Sequence, residues 1–194
     1  MTARIAPLDP PYEPEIENYL VKITPPGIEP LKLFRTLAVH YDLASRMRPL
    51  GAGLLAHPTI EPRERELIIL RTCALSGADY EWGVHAAFFK ELSREEIEAT
   101  ASDAEWSASD ALLIALADEL HTTGTLSDDV WALLAEHWSE PQLIELIVLA
   151  GWYKTISYVV NALRIEPEPW APAPTAATAA APARSQPPRV APRP

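Results

Sequence analysis

Four consecutive large apolar residues, Leu67, Ile68, Ile69 and Leu70, constrain the fold of this chain more than any other feature. Successive side chains of a helix are rotated by about 100°, so four in a row cover about 300° of its circumference. A helix that is apolar on nearly every side must be surrounded by other elements. The run therefore predicts a central, buried helix, which we expect to span about residues 62–76.

The other start and stop signals in the sequence are those of helices. Serines stand three residues before a carboxylate or amide at three places where apolar periodicity begins, which is typical of helix N-caps: Ser93 with Glu96, Ser107 with Asp110, and Ser139 with Gln142. Gly77 and Gly124 stand where helices should end, and no stretch alternates β-branched and polar residues as a strand does. We expect an all-α domain of about eight helices, at about 30–40, 42–55, 62–76, 80–91, 94–101, 108–122, 128–138 and 141–163.

The two ends of the chain differ in composition from this helical part. Seven prolines fall in the first thirty residues, so residues 1–29 are expected to form an extended arm over a helical domain at 30–166. Residues 167–194 contain nine prolines and nine alanines without apolar periodicity. We expect this Pro/Ala-rich tail to be disordered. We also expect that the residues after Trp170 are dispensable for folding and activity.

Composition excludes several classes of partner. The net charge is −11, and no basic run precedes residue 167, so a nucleic acid would be repelled. Cys73 is the single cysteine and the N-terminus has no apolar signal core, which predicts a cytoplasmic protein without an intrachain disulfide. The apolar segment 143–163 contains Glu145 and Lys154, which favour an amphipathic helix over a membrane span.

In segment 61–89, which is expected to form a helical hairpin, three ionisable side chains have mostly apolar neighbours: Glu66, Glu81 and His85. Glu81 and His85 are spaced i, i+4 and share one helix face, and Glu66 precedes them on the central helix. Glu66 is in line with Ile69 and Leu70, so it is expected to point along an apolar seam rather than outward with its basic neighbour Arg65. A carboxylate beside an imidazole can transfer protons, so this set is the candidate catalytic site.

Less specific interpretations of these residues stay open. Glu81 and His85 could be a surface ion pair, and Glu66 could be a carboxylate favoured at a helix N-terminus. A metal site is not expected, because the other histidines occur singly on separate segments: His40, His57, His121 and His137. No glycine-rich phosphate loop is present in the sequence, and no cofactor is expected.

The motifs in this region resemble those of the carboxymuconolactone decarboxylase family, which is related to the alkylhydroperoxidase D family. The resemblance covers roughly residues 5–170 and rests on Arg63-Glu64-Arg65-Glu66, ILRTCAL, Tyr80-Glu81-Trp82-Gly83-Val84-His85, ADELHTTGTLSDDVW and the NAL at Asn161. It implies an all-α, alkylhydroperoxidase D-like helical bundle that forms a homotrimer or homohexamer. It also implies an active site near a subunit interface.

The peroxidatic branch of that superfamily has a Glu, eleven residues, Cys-x-x-Cys, three residues and a His. On this chain the Glu corresponds to Glu66, the His to His85, and the two cysteine positions to Ala78 and Glu81. A dithiol peroxidase needs one thiolate to attack peroxide and a second thiol to resolve the sulfenic acid. Cys73 has no partner and is expected to fill core space, so peroxidase activity is disfavoured.

The decarboxylase branch implies loss of carbon dioxide from a small lactone dicarboxylate. By this resemblance His85 is the expected general acid, with Glu66 and Glu81 beside it. Candidate substrate-binding residues are Trp82, Arg71 and Lys154. The predicted function is a cofactor-free lyase or isomerase acting on a small organic acid or lactone. The alternatives are a cysteine-dependent peroxidase and a non-catalytic binding or assembly protein that kept the fold.

Overall fold

The computed structural model describes residues 2–25 and 27–175, and this part of the chain is helical without a strand. It contains nine α-helices and one 3₁₀ turn at Ala38–His40: α1 Pro14–Ile23, α2 Lys32–Leu37, α3 Tyr41–Ala56, α4 Pro62–Leu75, α5 Asp79–Phe88, α6 Arg94–Ala99, α7 Ala108–Thr123, α8 Asp128–His137 and α9 Glu140–Leu163. The predicted all-α class is confirmed.

Helix α4 is the central helix that the apolar run predicts. Every residue from Arg65 to Ala74 is buried, and the helix packs against α5, α7 and α9. It begins after Glu61, whose side chain forms a capping box with Glu64, and Pro62 occupies the first turn, where no intrahelical N–H bond is lost. Burial on all sides explains why so many apolar residues are consecutive here.

The predicted helix boundaries are largely correct because caps are local signals. The Ser93 hydroxyl accepts a hydrogen bond from the Glu96 N–H, and Ser139 forms a capping box at the start of α9. Gly124 ends α7 with φ of 75°, a left-handed conformation that glycine adopts without strain. Ser127 caps α8 in the same way as the predicted serines.

The expected extended arm is not extended throughout, because α1 lies within residues 1–29. Pro14 stands at the start of α1, where its fixed φ suits a helix and its missing N–H is not needed. Tyr19 and Leu20 are buried in a small apolar cluster with residues of the next two helical segments, including Ala44. Counting prolines therefore underestimated the helical content of this arm.

The beginning of the predicted tail is packed, which corrects the expectation that disorder starts at residue 167. Glu168 is buried, and one of its carboxylate oxygens accepts hydrogen bonds from the Tyr80 hydroxyl at 2.7 Å and the Lys32 N–H at 2.6 Å. The Trp170 ring contacts Phe88 edge-on, with centroids 4.8 Å apart. These contacts have no helical period, so periodicity did not reveal them. Residues 176–194 lie outside the described part of the chain.

The same segment explains a glycine in α5. A Cβ atom at Gly83 would lie 2.3 Å from the Pro172 carbonyl oxygen, so only glycine lets the segment cross the helix this closely. The C-terminal segment from residue 167 to 175 therefore closes one side of α5.

Helix α9 is long and apolar enough, by length and composition alone, to cross a membrane. However, 44% of its apolar window is buried inside the bundle, where it packs on α4 and α5. A core helix of a helical domain has the same composition, so this finding is weak evidence for a span.

We predict that Glu168→Ala destabilises the protein by about 1–3 kcal/mol, because it leaves the Tyr80 hydroxyl and the Lys32 N–H without an acceptor. In a domain of this size that corresponds to a fall in melting temperature of about 2–4 °C per kcal/mol. Thermal unfolding measures it. Glu166→Ala removes an exposed carboxylate nearby and serves as the control, so equal melting temperatures for the two variants would contradict the packed segment.

We also predict a homo-oligomer, a trimer or hexamer, because apolar residues on the outer face of α9 are exposed, among them Ile144 at 64% and Tyr158 at 62%. Multi-angle light scattering at micromolar concentration measures the mass. Ile144→Glu should shift it towards the monomer, whereas Ser109→Glu, on an exposed part of α7, should not. A monodisperse wild-type monomer would contradict the prediction.

Candidate functional site

The three predicted ionisable residues meet in the interior of the protein. Glu66 comes from α4, Glu81 and His85 come from α5, and their exposed fractions are 1%, 7% and 3%. His85 Nδ1 lies 2.7 Å from Glu66 Oε2, and His85 Nε2 lies 3.6 Å from Glu81 Oε1. The imidazole is thus held between two carboxylates, and the surface-pair interpretation is wrong.

A tight turn between α4 and α5 creates this arrangement. Gly77 has φ of 60°, and the Ala78 N–H donates to the Cys73 carbonyl, which returns the chain alongside α4. The i, i+4 spacing then directs both Glu81 and His85 towards the same side of α5. The local sequence therefore places Glu81 and His85 side by side, and the turn brings them next to Glu66.

Arg65 is a member of the site that the sequence interpretation missed. Its Nε donates to Glu66 Oε1 at 2.9 Å, and a second nitrogen donates to the Leu55 carbonyl at 3.2 Å. Its guanidinium also lies 5.4 Å from the Phe89 ring centroid. The expectation that Arg65 points outward is wrong, because a long side chain can fold back to an adjacent buried carboxylate. The signal that could have identified Arg65 is its position directly before a carboxylate that was expected to be buried.

The buried charges alternate in sign from Arg65 to Glu66, His85 and Glu81. Burial alone would lower the pKa of His85, but the charge and hydrogen bond of Glu66, together with Glu81, outweigh it and raise that pKa to about 9. At neutral pH the imidazole is therefore protonated on both nitrogens. Nδ1–H donates to Glu66, and Nε2–H is directed to the side occupied by Glu81.

One carboxylate oxygen of Glu81 is left without a partner in the described part of the chain. Its Oε2 is buried and has no hydrogen-bond partner among the described residues. Leaving a buried acceptor unpaired costs about 1–3 kcal/mol. Since Glu81 borders a cavity, a bound molecule could supply the missing donor.

That cavity has a volume of about 550 Å³ and lies between α1, α2, α3, α5 and α9. His85 borders it, stacked on Phe89 with ring centroids 4.8 Å apart and edge-on to Tyr153 at 5.0 Å. The other aromatic rings in the wall are those of Tyr19, Phe34, Phe88 and Trp152. A mostly apolar cavity with a few polar groups is typical of sites for small organic ligands.

Two of the three predicted substrate-binding residues are occupied by structural contacts on another side of the helices. The Trp82 ring is buried, and its Nε1 donates to the Thr100 hydroxyl at 3.0 Å. Arg71 forms two hydrogen bonds with Asp118, and it also donates to the Thr100 and Ser102 carbonyl oxygens. Neither borders the cavity, so both assignments are corrected: they face α7 and the loop after α6, which the sequence could not place.

Lys154 also lies away from the cavity. It borders a separate pocket of about 190 Å³ and lies 2.9 Å from His121 Nδ1. Its neighbour on α9, Tyr153, is the residue that contacts His85, so Lys154 is not brought to the site of Glu66, Glu81 and His85.

Cys73 lies in the core and not at the cavity. It is fully buried on α4, and burial raises the pKa of its thiol well above the usual value, with the Glu81 carboxylate acting in the same direction. A thiol held in its neutral form and enclosed in protein is a poor nucleophile. The expectation that Cys73 fills core space is thus supported by its position.

Comparisons with known proteins agree with this fold. The model of the carboxymuconolactone decarboxylase family matches residues 41–119, which confirms the resemblance for the part containing Glu66, Glu81 and His85. The comparison with curated protein sequences gave no match.

Several solved structures share the fold at low sequence identity. An uncharacterized peroxidase-related protein from Ralstonia eutropha JMP134, described as an alkylhydroperoxidase AhpD core, has 15% identity and a TM-score of 0.75 over 87% of this chain and 95% of its own. A peroxidase-related protein from Silicibacter sp. TM1040 has 14% identity and a TM-score of 0.73 over 84% and 92%. The debrominase Bmp8, in a variant complexed with 2,3,4-tribromopyrrole, has 20% identity and a TM-score of 0.64 over 88% and 94%. These likenesses confirm an alkylhydroperoxidase D-like bundle.

We predict that His85 makes stability depend on alkaline pH. Its pKa is about 9 in the folded protein against 6.5 as the ordinary value, so the folded state binds more protons between these limits. The stabilisation is fully present below about pH 6.5 and is lost as the pH rises through about 9. Urea unfolding at pH 6, 7.5 and 9 measures this loss. His85→Gln removes the titrating group, so parallel pH profiles for the two proteins would contradict a raised pKa.

Proposed function

We propose that this protein, which matches the carboxymuconolactone decarboxylase family over residues 41–119, is a cofactor-free lyase or isomerase for a small organic acid or lactone. The observation that carries the proposal is the position of His85, which is held between Glu66 and Glu81 at the wall of an apolar cavity. The raised pKa of about 9 makes this imidazole an acid at neutral pH. An acid with this environment can deliver a proton to a bound molecule at neutral pH.

Glu66 acts as a positioning residue in this proposal. Its hydrogen bond to Nδ1 fixes the orientation of the His85 ring, and its charge keeps the imidazole protonated. Arg65 in turn holds the second oxygen of Glu66. Glu66 does not border the cavity, so Nε2 is the nitrogen left to exchange a proton with the substrate.

The proposed step moves one proton to carbon. In a decarboxylation, the bond between the substrate carbon and its carboxylate breaks, carbon dioxide leaves, and the electron pair moves into a conjugated carbonyl. The Nε2–H of His85 then protonates the resulting carbanion equivalent, and a proton from solvent restores the imidazolium. In an isomerisation, Glu81 instead removes a proton from one carbon while His85 protonates another.

Glu81 suits the role of base or acceptor because its Oε2 has no partner among the described residues. The low polarity of the cavity strengthens any hydrogen bond that a substrate donates to it. In the redox branch a thiol occupies the position of Glu81, so the replacement changes the available chemistry from thiol oxidation to proton transfer.

The second candidate function is a peroxidase or dehalogenase activity, which the position of the cysteine disfavours. Two of the similar structures are peroxidase-related proteins and one is a debrominase, but at 14–20% identity they support the fold alone. The single cysteine of this chain is enclosed in the core and does not reach the cavity. A binding or assembly role without catalysis is the third candidate and is decided by experiment.

Proton transfer can be tested without knowing the natural substrate. The protein is incubated in D₂O with but-3-enoate and α-angelica lactone, and deuterium incorporation at carbon is followed by proton NMR. His85→Gln should lower the rate of exchange by about 10²–10⁴-fold, which is the usual contribution of a general acid or base. Cys73→Ala should leave that rate nearly unchanged.

His137→Gln is the matched control, because it removes an exposed imidazole at the end of α8. Equal exchange rates for His85→Gln and the wild type would refute the proposed role of His85. An absence of exchange in the wild type would favour the binding role. A peroxide-dependent activity that Cys73→Ala abolishes would restore the redox interpretation.

A further inference from the structure

The cavity contains a cation that the sequence interpretation did not single out. Arg48, on α3, borders the same cavity as Glu81 and His85. Five other arginines form ion pairs with protein carboxylates: Arg35, Arg46, Arg63, Arg65 and Arg71. Arg48 has no such carboxylate within 4 Å among the described residues, and its Nε is buried without a hydrogen-bond partner.

Arg48 is half-buried, and leaving its buried Nε–H without an acceptor is energetically unfavourable. A buried N–H without an acceptor costs about 1–3 kcal/mol, and a planar guanidinium binds a carboxylate through two parallel hydrogen bonds. The charge of Arg48 also acts on Tyr19, another wall residue, whose pKa burial nevertheless raises to about 12. The Tyr19 hydroxyl therefore keeps its proton and is a second donor in the wall of the cavity that Arg48 borders.

The part of the cavity at His85 has the opposite preference. The positive charge of His85 is already matched by Glu66 and Glu81, and the free oxygen of Glu81 is an acceptor that needs a donor. A carboxylate placed there would be repelled by Glu81. A neutral group carrying an acidic C–H, N–H or O–H would satisfy it.

We propose that Arg48 and Tyr19 anchor one carboxylate of the substrate, and that the substrate is an apolar monocarboxylic acid whose uncharged end reacts at His85. The anchored carboxylate is kept in the product. This inference rests on the proposed function for the reacting end, where His85 is the proton donor. It selects the isomerisation over the decarboxylation, because a carboxylate that is kept cannot leave as carbon dioxide. The anchor itself rests only on Arg48, Tyr19 and the apolar wall.

Binding of trans-cinnamate and its neutral isostere cinnamide, measured by isothermal titration calorimetry, tests the anchor separately from catalysis. Wild-type protein should bind the acid more tightly than the amide. Arg48→Gln should weaken acid binding by about 10–100-fold, as expected for a charged hydrogen bond, and leave amide binding unchanged. Arg48→Lys keeps the charge and should restore part of the preference.

Arg46→Gln is the matched control, because Arg46 lies on the same helix but is exposed and paired with Asp42. Its affinity for cinnamate should equal that of the wild type. Lys22→Gln, which removes an exposed cation at the same cavity, should have a smaller effect than Arg48→Gln. The proposal is overturned if Lys22→Gln carries the loss, if Arg48→Gln weakens acid and amide equally, or if cinnamate does not bind at millimolar concentration.

The dianion 4-carboxycinnamate tests the monocarboxylate class. It should bind several-fold more weakly than cinnamate, because its second carboxylate would lie towards Glu81. Equal or tighter binding of the dianion would show that the substrate is not a monocarboxylate.

If His85→Gln keeps both cinnamate binding and proton exchange, the proposed function fails while the Arg48 anchor stands. If exchange depends on His85 but the acid has no advantage over the amide, the anchor fails alone.

Discussion

The hydrogen bond of 2.7 Å between Glu66 and His85 is the interaction on which the site depends. It joins α4 to α5 in a region where both residues are almost fully buried. Burying one charge is costly, but here Arg65 and Glu81 extend the pair into four groups of alternating sign. Removing a single member leaves an unmatched buried charge, so the four side chains fix one another's positions and the orientation of the two helices.

Helix α4 combines this charged set with the main apolar core. Residues such as Leu67 and Ile68 are fully buried against the surrounding helices, while Arg65 and Arg71 each find a carboxylate partner on different sides. Each of these two arginines of the buried helix is therefore paired with a carboxylate, either on the same helix or on a neighbouring one. Arg71 is paired with α7 and stabilises the bundle, whereas Arg65 is paired within the candidate site.

The cavity is built mostly by elements that flank the hairpin of α4 and α5. The match to the family model covers residues 41–119, but cavity walls also come from α1, α2 and α9. In the proposed function the hairpin transfers the proton, and the flanking helices provide the shape and polarity of the cavity. Tyr19, from the arm, and Arg48, from α3, both border the cavity.

Sequence alone determined the helical class, the central helix and the set of Glu66, Glu81 and His85, because caps, apolar periodicity and i, i+4 spacing are local properties. It could not place Arg65, whose side chain folds back to Glu66, or Arg48, whose neighbours come from distant segments. It also misjudged both chain ends, since packing without periodicity leaves no pattern. Which polar groups share a cavity was decided only by the tertiary structure, because long-range packing determines which faces of the helices meet.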